Sequence, residues 1–357
     1  MIPDQWRQAA LSPPFAWGSG PLGKGVLRAS PEDFNVDEIL GFQASGEGPH
    51  ALLRVRKRGA NTEWVARELS RAAGCKPFEV GFAGLKDRNA VTTQFYTVPR
   101  GKRAAADFLG MKGEGYEVIE AAAHQRKLPR GALEGNRFDI AVRDVAAEDV
   151  AVHERVRAIA AGGVPNYFGP QRFGRDAGNL AQVMQAAASI AAGARRAGRR
   201  ANPDQGFMLS AARSVVFNAV LAERVQQGHW NRLLPGDVAN LDGRGSVFAV
   251  PALDADLERR CLDMEVHPTA PLPGDGESLA TGAVRELEDR VAAGFPEALA
   301  VIRAERMNAE RRALRLRVRG LEHEFSGGVL RLRFALSAGS FATAVLREII
   351  DTGEAGE

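Results

Sequence analysis

Asp87 stands between two cations, Lys86 and Arg88, in the segment Gly84-Leu85-Lys86-Asp87-Arg88. An Asp carboxyl ordinarily titrates at about pH 3.9; nearby Lys or Arg favours its charged form and burial opposes it. A buried Asp87 would therefore need a cationic partner to remain an anion, and an ionised, positioned carboxylate can act as nucleophile or base. The simpler reading is a hairpin connection whose charges face water. Against it, apolar strands fix the loop ends, and Gly81 and Gly84 admit close backbone approach by another group. A second segment, VPNYFGPQRFGRDAGNL at residues 164–180, interleaves Tyr167, Phe168 and Phe173 with Arg172 and Arg175. Its glycines at 169 and 174 have P-loop spacing, but Arg175-Asp176 stands where Lys-Ser/Thr is required, and Pro170 removes a backbone donor. Aromatic rings among cations suit stacked bases and phosphates, with a packed aromatic loop as the alternative.

Other arginines raise the same choice. Arg195, Arg196, Arg199 and Arg200 form a run with no neighbouring acid, suited to phosphate contacts or to simple solvation. Arg315, Arg317 and Arg319 alternate with Leu314, Leu316 and Val318, as on one strand face that must meet water or a polyanion. Phe34, Phe138 and Phe341 sit in polar surroundings. A core role is the default for each, but three converging on one carboxylate would form an apolar slot for a planar ring.

The elements that must position these groups follow from hydrophobic period and punctuation. Short apolar runs between residues 25 and 56 predict strands. NTEWVARELSRAAG predicts a helix capped by Asn61 or Thr62, with Val65, Leu69 and Ala72 on one face and Gly74 at its end. Alternation of Phe78, Val80 and Phe82 predicts a strand, and Val91, Thr93, Phe95 and Thr97 predict its partner, closed by Pro99. GNRFDIAVRDV predicts another strand, with Phe138, Ile140 and Val142 on one face. From about Asp144 to Arg315 the chain is Ala- and Arg-rich with helical periodicity. Strands then return as a hairpin about Gly327-Gly328, followed by a helix over residues 341–350. Strands, helices and strands again predict a sheet-based domain interrupted by an insertion.

The composition is that of a soluble globular protein, with 45% hydrophobic and 25% charged residues among 357, and a net charge of only +3. Two distant cysteines and six scattered histidines offer no zinc or disulfide framework, which fits a reducing cytosol. The first twenty residues lack a signal-peptide pattern, and no window reaches the ~20 apolar residues of a membrane span.

Six blocks, in order along the chain, carry a family resemblance. GFAGLKDRNAVTTQFYTV, VPNYFGPQRFGRDAGNL and LSAGSFATAVLREII resemble the TruD family of tRNA pseudouridine synthases, as do ASPEDFNVDEIL, RKRGANTEWVARELSR and LEGNRF. The resemblance implies an α+β fold: a pseudouridine-synthase catalytic domain with a central mixed or antiparallel sheet, interrupted by a mostly helical TRUD insertion. The expected limits are residues 1–160 and 314–357 for the catalytic domain and 161–313 for the insertion. The implied activity is cofactor-independent, metal-free isomerisation of uridine in tRNA, expected at uridine 13, by base flipping. Asp87 looks like the catalytic aspartate, and Phe34, Asn136 and Phe341 sit where the family holds the target nucleotide. Phe138 looks like the aromatic that this family uses where other pseudouridine synthases carry Tyr. Arg28 resembles a basic position near the aspartate, with Lys86 and Arg88 as further candidates for electrostatic support. Tyr167, Arg172, Arg175, Arg195, Arg196, Arg199 and Arg200 are candidate tRNA contacts. A cytoplasmic protein is expected, with tRNA as partner, no membrane and no obligate protein partner. A non-catalytic RNA-binding protein is the alternative; a carboxylate-based hydrolase would leave the arginine-rich segments unexplained.

Overall fold

The computed structural model describes residues 1–193 and 203–353. The chain forms two compact units. One comprises residues 21–156, 318–339 and the segment from Ile349 onward; the other comprises 1–20, 157–317 and 340–348. Residues 1–20 and 340–348, expected with the sheet domain, thus pack with the helical unit.

The sheet unit is built on ten strands. Its main order runs Arg319–Ser326, Val329–Ser337, Gly135–Arg143, Phe34–Ile39, Val91–Pro99, His50–Arg58, Tyr116–His124 and Lys112–Gly113. Neighbours along this path pair antiparallel except Phe34–Ile39 with Val91–Pro99, which run parallel. Val91–Pro99 is central and buried along nearly its whole length, as a strand covered on both faces should be. The helix Thr62–Ala73 buries Val65, Ala66 and Leu69 against Leu53, Val55, Tyr96 and Val98. Asn61 precedes it in extended geometry without a side-chain cap bond, and Gly74 ends it at φ 67°, a left-handed conformation that glycine adopts without strain.

Two strand expectations need correction. Phe78 is 70% exposed and lies in the 3₁₀ turn Pro77–Glu79; only Gly81–Phe82 pairs with the central strand. Pro77 fixes the turn, and the Glu79 carboxylate accepts from the Lys76 amide, so local bonding overrides the alternation. Nor do the three arginines form one ladder. Their segment divides among strands Glu310–Ala313, Arg315–Leu316 and Arg319–Ser326. Arg315 is buried in the helical unit and donates to the His267 ring and to the carbonyls of Asn231, Cys261 and Val266. Arg317 reaches Asp242 at 3.3 Å. Buried with four acceptors, Arg315 is structural rather than a phosphate contact.

The helical unit combines the helices Asp4–Leu11, Gly178–Ala191, Pro203–Gln226, Gly282–Ala292 and Pro296–Ala304 with a four-stranded antiparallel sheet, Val247–Val250, Asp237–Leu241, Val266–Leu272 and Glu310–Ala313. Its core gathers Trp6, Phe173, Val215, Phe217, Val301 and Leu314.

Candidate active site

The parallel pairing determines which side chains can meet. Asn35 stands beside Val91, so the leads into both strands lie at the same edge of the sheet. One lead carries Arg28 and the other Asp87. Arg58, at the end of the antiparallel neighbour, also pairs with Val91 and brings Gly59 to that edge. Arg28 donates from Nη2 to Asp87 Oδ2 at 2.7 Å, closing an ion pair between residues 59 apart in sequence. The side chains are 26% and 61% exposed, so the pair contributes at most about 1 kcal/mol to stability and serves chiefly to orient the carboxylate. Arg28 adopts φ 59°, a left-handed conformation costing about 1–3 kcal/mol outside glycine. Its guanidinium lies 4.2 Å from the centroid of the Phe34 ring, which helps hold it there. Together Arg28, Gly59, Asp87, Arg88 and Asn89 line an open cavity of about 500 Å³.

Below the pair, Phe34 is 3% exposed and meets Phe138 edge-on at 6.2 Å, and Phe138 stacks on Phe334 at 5.3 Å. Phe34, which the resemblance places where the family holds the target nucleotide, is buried beneath Arg28. Two residues before Phe138, and hence on the same sheet face, Asn136 is half-buried, and its amide oxygen has no protein donor.

The loop itself is held from several sides. Lys86 turns away from Asp87 to pair with Glu38 at 3.0 Å, both side chains being buried, and Glu38 Oε2 also accepts from the Phe95 amide. Arg88 donates through Nε to the Gly59 carbonyl. The Lys86 amide donates to Thr62 Oγ1, and Gln94 Nε2 donates to the Gly84 carbonyl. Of the three cations expected to support Asp87, Arg28 makes the ion pair, Lys86 pairs instead with Glu38, and Arg88 holds the Gly59 carbonyl. Close backbone approach occurs at Gly81, where a Cβ would lie 2.6 Å from the Leu128 carbonyl oxygen; at Gly84 only the Lys86 ammonium comes within 4 Å.

Glu38, Thr62, Gln94 and Lys57 were absent from the sequence-derived set. Each had one signal, a polar side chain at an inward strand position or a helix start. Lys57 follows Leu53 and Val55 on the inward parity of its strand.

The remaining candidates lie in the helical unit. Phe341 immediately precedes the short helix Ala342–Leu346, half-buried against that unit's core. The Arg172 guanidinium lies 5.1 Å from the Phe168 ring and 6.0 Å from Phe341, and donates to Ser210 Oγ. Tyr167, offered as a tRNA contact, is buried in the core at 2% exposure, and Phe168 and Phe173 are buried with it. Their loop is the packed aromatic alternative, with the exposed Arg175 outside it. Arg195, Arg196, Arg199 and Arg200 lie outside the described residues. Among the described residues no cluster of His, Cys, Asp or Glu could hold a metal, and no helix is long and apolar enough to cross a membrane.

Fold and site together define an α+β protein with a carboxylate–arginine site at one sheet edge. A family model, tRNA pseudouridine synthase D (TruD), matches residues 15–188 and 200–349. A tRNA pseudouridine synthase D from Xanthomonas axonopodis pv. citri is 43% identical over 354 residues, 96% of this chain and 95% of that protein. Another, from Methylococcus capsulatus, is 45% identical over 337 residues, 92% and 91% of the two chains. A solved structure from Methanosarcina mazei, described as a tRNA pseudouridine synthase D, superposes with a TM-score of 0.72 over 98% of each chain; at 23% identity it speaks for the fold alone. The chain belongs to the TruD family.

Proposed function

We propose that the protein isomerises uridine to pseudouridine in tRNA, at uridine 13, with Asp87 as the catalytic carboxylate. The N1–C1′ bond breaks, the detached uracil turns, and C5 bonds to C1′; the C5 proton is lost and N1 gains one, so no atom is added overall. The observation carrying this reading is the Arg28–Asp87 pair at 2.7 Å on the wall of an open cavity. Whether the carboxylate adds to C1′ or takes a proton from C2′, it must be anionic, and the guanidinium favours that form. Arg28 lies on Phe34, so Phe34 acts as the platform that aims the arginine. By the family resemblance, Asn136, whose buried amide oxygen has no protein donor, and Phe341 are assigned to holding the nucleotide, Phe341 by stacking. Flipping the base out costs a few kcal/mol, and aromatic stacking returns about 1–3 kcal/mol.

Asp87→Asn keeps the shape and removes the charge. Conversion of tRNA, read by pseudouridine mapping, is expected to fall by about 10²–10⁴-fold with tRNA affinity unchanged. Normal turnover by this variant would remove Asp87 from the chemistry. A parent protein that binds tRNA and never converts it would favour a non-catalytic RNA-binding role.

A further inference from the structure

Lys57 plays no part in the chemistry above, yet it is the cation most completely enclosed beneath the Asp87 loop. It continues the inward row Leu53 and Val55 on the strand His50–Arg58 and is 1% exposed. Its Nζ donates to the Ala60 carbonyl at 2.9 Å, the Asp87 carbonyl at 3.2 Å and the Lys86 carbonyl at 3.4 Å. An ammonium has three N–H donors, and here all have main-chain acceptors. One belongs to the turn after its own strand, and two belong to the loop that carries the carboxylate.

Packing alone does not explain a lysine at this position. Burial disfavours the charge and pushes the Lys57 pKa down to about 8, with Asp87 acting to raise it and Lys86 to lower it. An unbranched apolar side chain such as Met would fill the space without that cost. What Met could not do is gather three carbonyl oxygens, whose dipoles otherwise repel, around one point.

We propose that Lys57 is a positioning residue for the reacting carboxylate: its buried ammonium ties the carbonyls of Lys86 and Asp87 to that of Ala60 and so sets the main chain from which the Asp87 side chain projects. The Arg28 guanidinium then aims that side chain from above the sheet edge, while Lys57 holds its base. Misplacing a reacting group by about 1 Å can cost about 100-fold in rate, so the clamp acts on conversion rather than on tRNA binding. The proposal rests on Asp87 being the catalytic carboxylate.

The test compares Lys57→Met and Asp87→Asn with the parent protein in single-turnover conversion of tRNA at saturating enzyme, alongside tRNA affinity and thermal midpoint. For Lys57→Met the conversion rate is expected to fall by about 100-fold, with affinity unchanged and the protein still folded at the assay temperature, although the three carbonyls lose their donor. A rate within about threefold of the parent, or a rate loss matched by losses in affinity and midpoint, overturns the positioning role. If Lys57→Met does not fold, Lys57→Gln is judged by the same criteria, because its shorter, neutral side chain has only two N–H donors and cannot tie all three carbonyls. Should Asp87→Asn turn over normally, the functional reading fails and the clamp fails with it. Should Asp87→Asn be dead while the Lys57 variant is unimpaired, only the clamp fails.

Discussion

Glu38→Gln isolates the charge of the buried pair beneath the Asp87 loop. Glu38 and Lys86 are both buried, 3.0 Å apart, and Glu38 also accepts from the Phe95 amide at 2.8 Å. Gln keeps the side-chain volume and an oxygen for that amide, so the substitution chiefly leaves the Lys86 ammonium without its anion. Stripping one partner from a buried pair costs about 3–5 kcal/mol, because the remaining charge is out of water and uncompensated. At about 2–4 °C per kcal/mol for a unit of this size, the thermal midpoint should fall by roughly 6–20 °C. The double variant Glu38→Gln/Lys86→Met removes both charges and should recover most of the loss. Differential scanning calorimetry on the two variants and the parent reads both values. A Glu38→Gln shift below about 2 °C, or a double variant no better than the single, would refute the argument that an orphaned charge sets the cost.

Two further outcomes follow from the same geometry. The Asp33 carboxylate accepts from Arg143 Nε and Nη2 and from the Ser30 amide, and the Arg143 hydrogen bonds hold its pKa below the ordinary 3.8. Its stabilisation is therefore complete above pH 3.8 and is lost as pH falls through the lower folded value. Asp33→Asn should cost about 1–2 kcal/mol in urea unfolding at pH 7 and progressively less below pH 4; a pH-independent difference would show that the charge is irrelevant. Phe341→Ala should slow single-turnover conversion by about 5–150-fold, the equivalent of a lost stack of about 1–3 kcal/mol, with little change in tRNA affinity. Unchanged conversion would take Phe341 off the path of the flipped base.

Local patterns carried the fold where one period and its punctuation agreed. The helix Thr62–Ala73 was legible because its apolar residues keep helical spacing and Gly74 supplies the left-handed end. The strand expected from Phe78 failed because Pro77 and the Glu79 side chain satisfy the backbone locally, which an alternation count does not register. The arginines after Leu314 were misread for a different reason. Alternating apolar and cationic residues describe an exposed strand face equally well as a buried arginine surrounded by carbonyls, and only tertiary contacts distinguish them. At the site, Asp87 stood out by composition, whereas Arg28 emerged only through the family resemblance, since 59 residues separate the partners. Lys57 was visible in principle: a lysine on the inward parity of an otherwise apolar row is costly to bury without compensation.

The parallel alignment of Phe34–Ile39 with Val91–Pro99 makes the Arg28–Asp87 ion pair depend on two short stretches of chain and on little between them. From Arg28 to Phe34, and from Asp87 to Val91, each residue counts toward reach; adding or deleting one there would swing a partner off the common edge. The long intervening connection is bound by no such arithmetic, and an exposed turn such as the one around Gly46 can lengthen without moving either charge. Length variation among related chains is therefore expected to gather in the excursions, with both approaches to the edge kept to a fixed count.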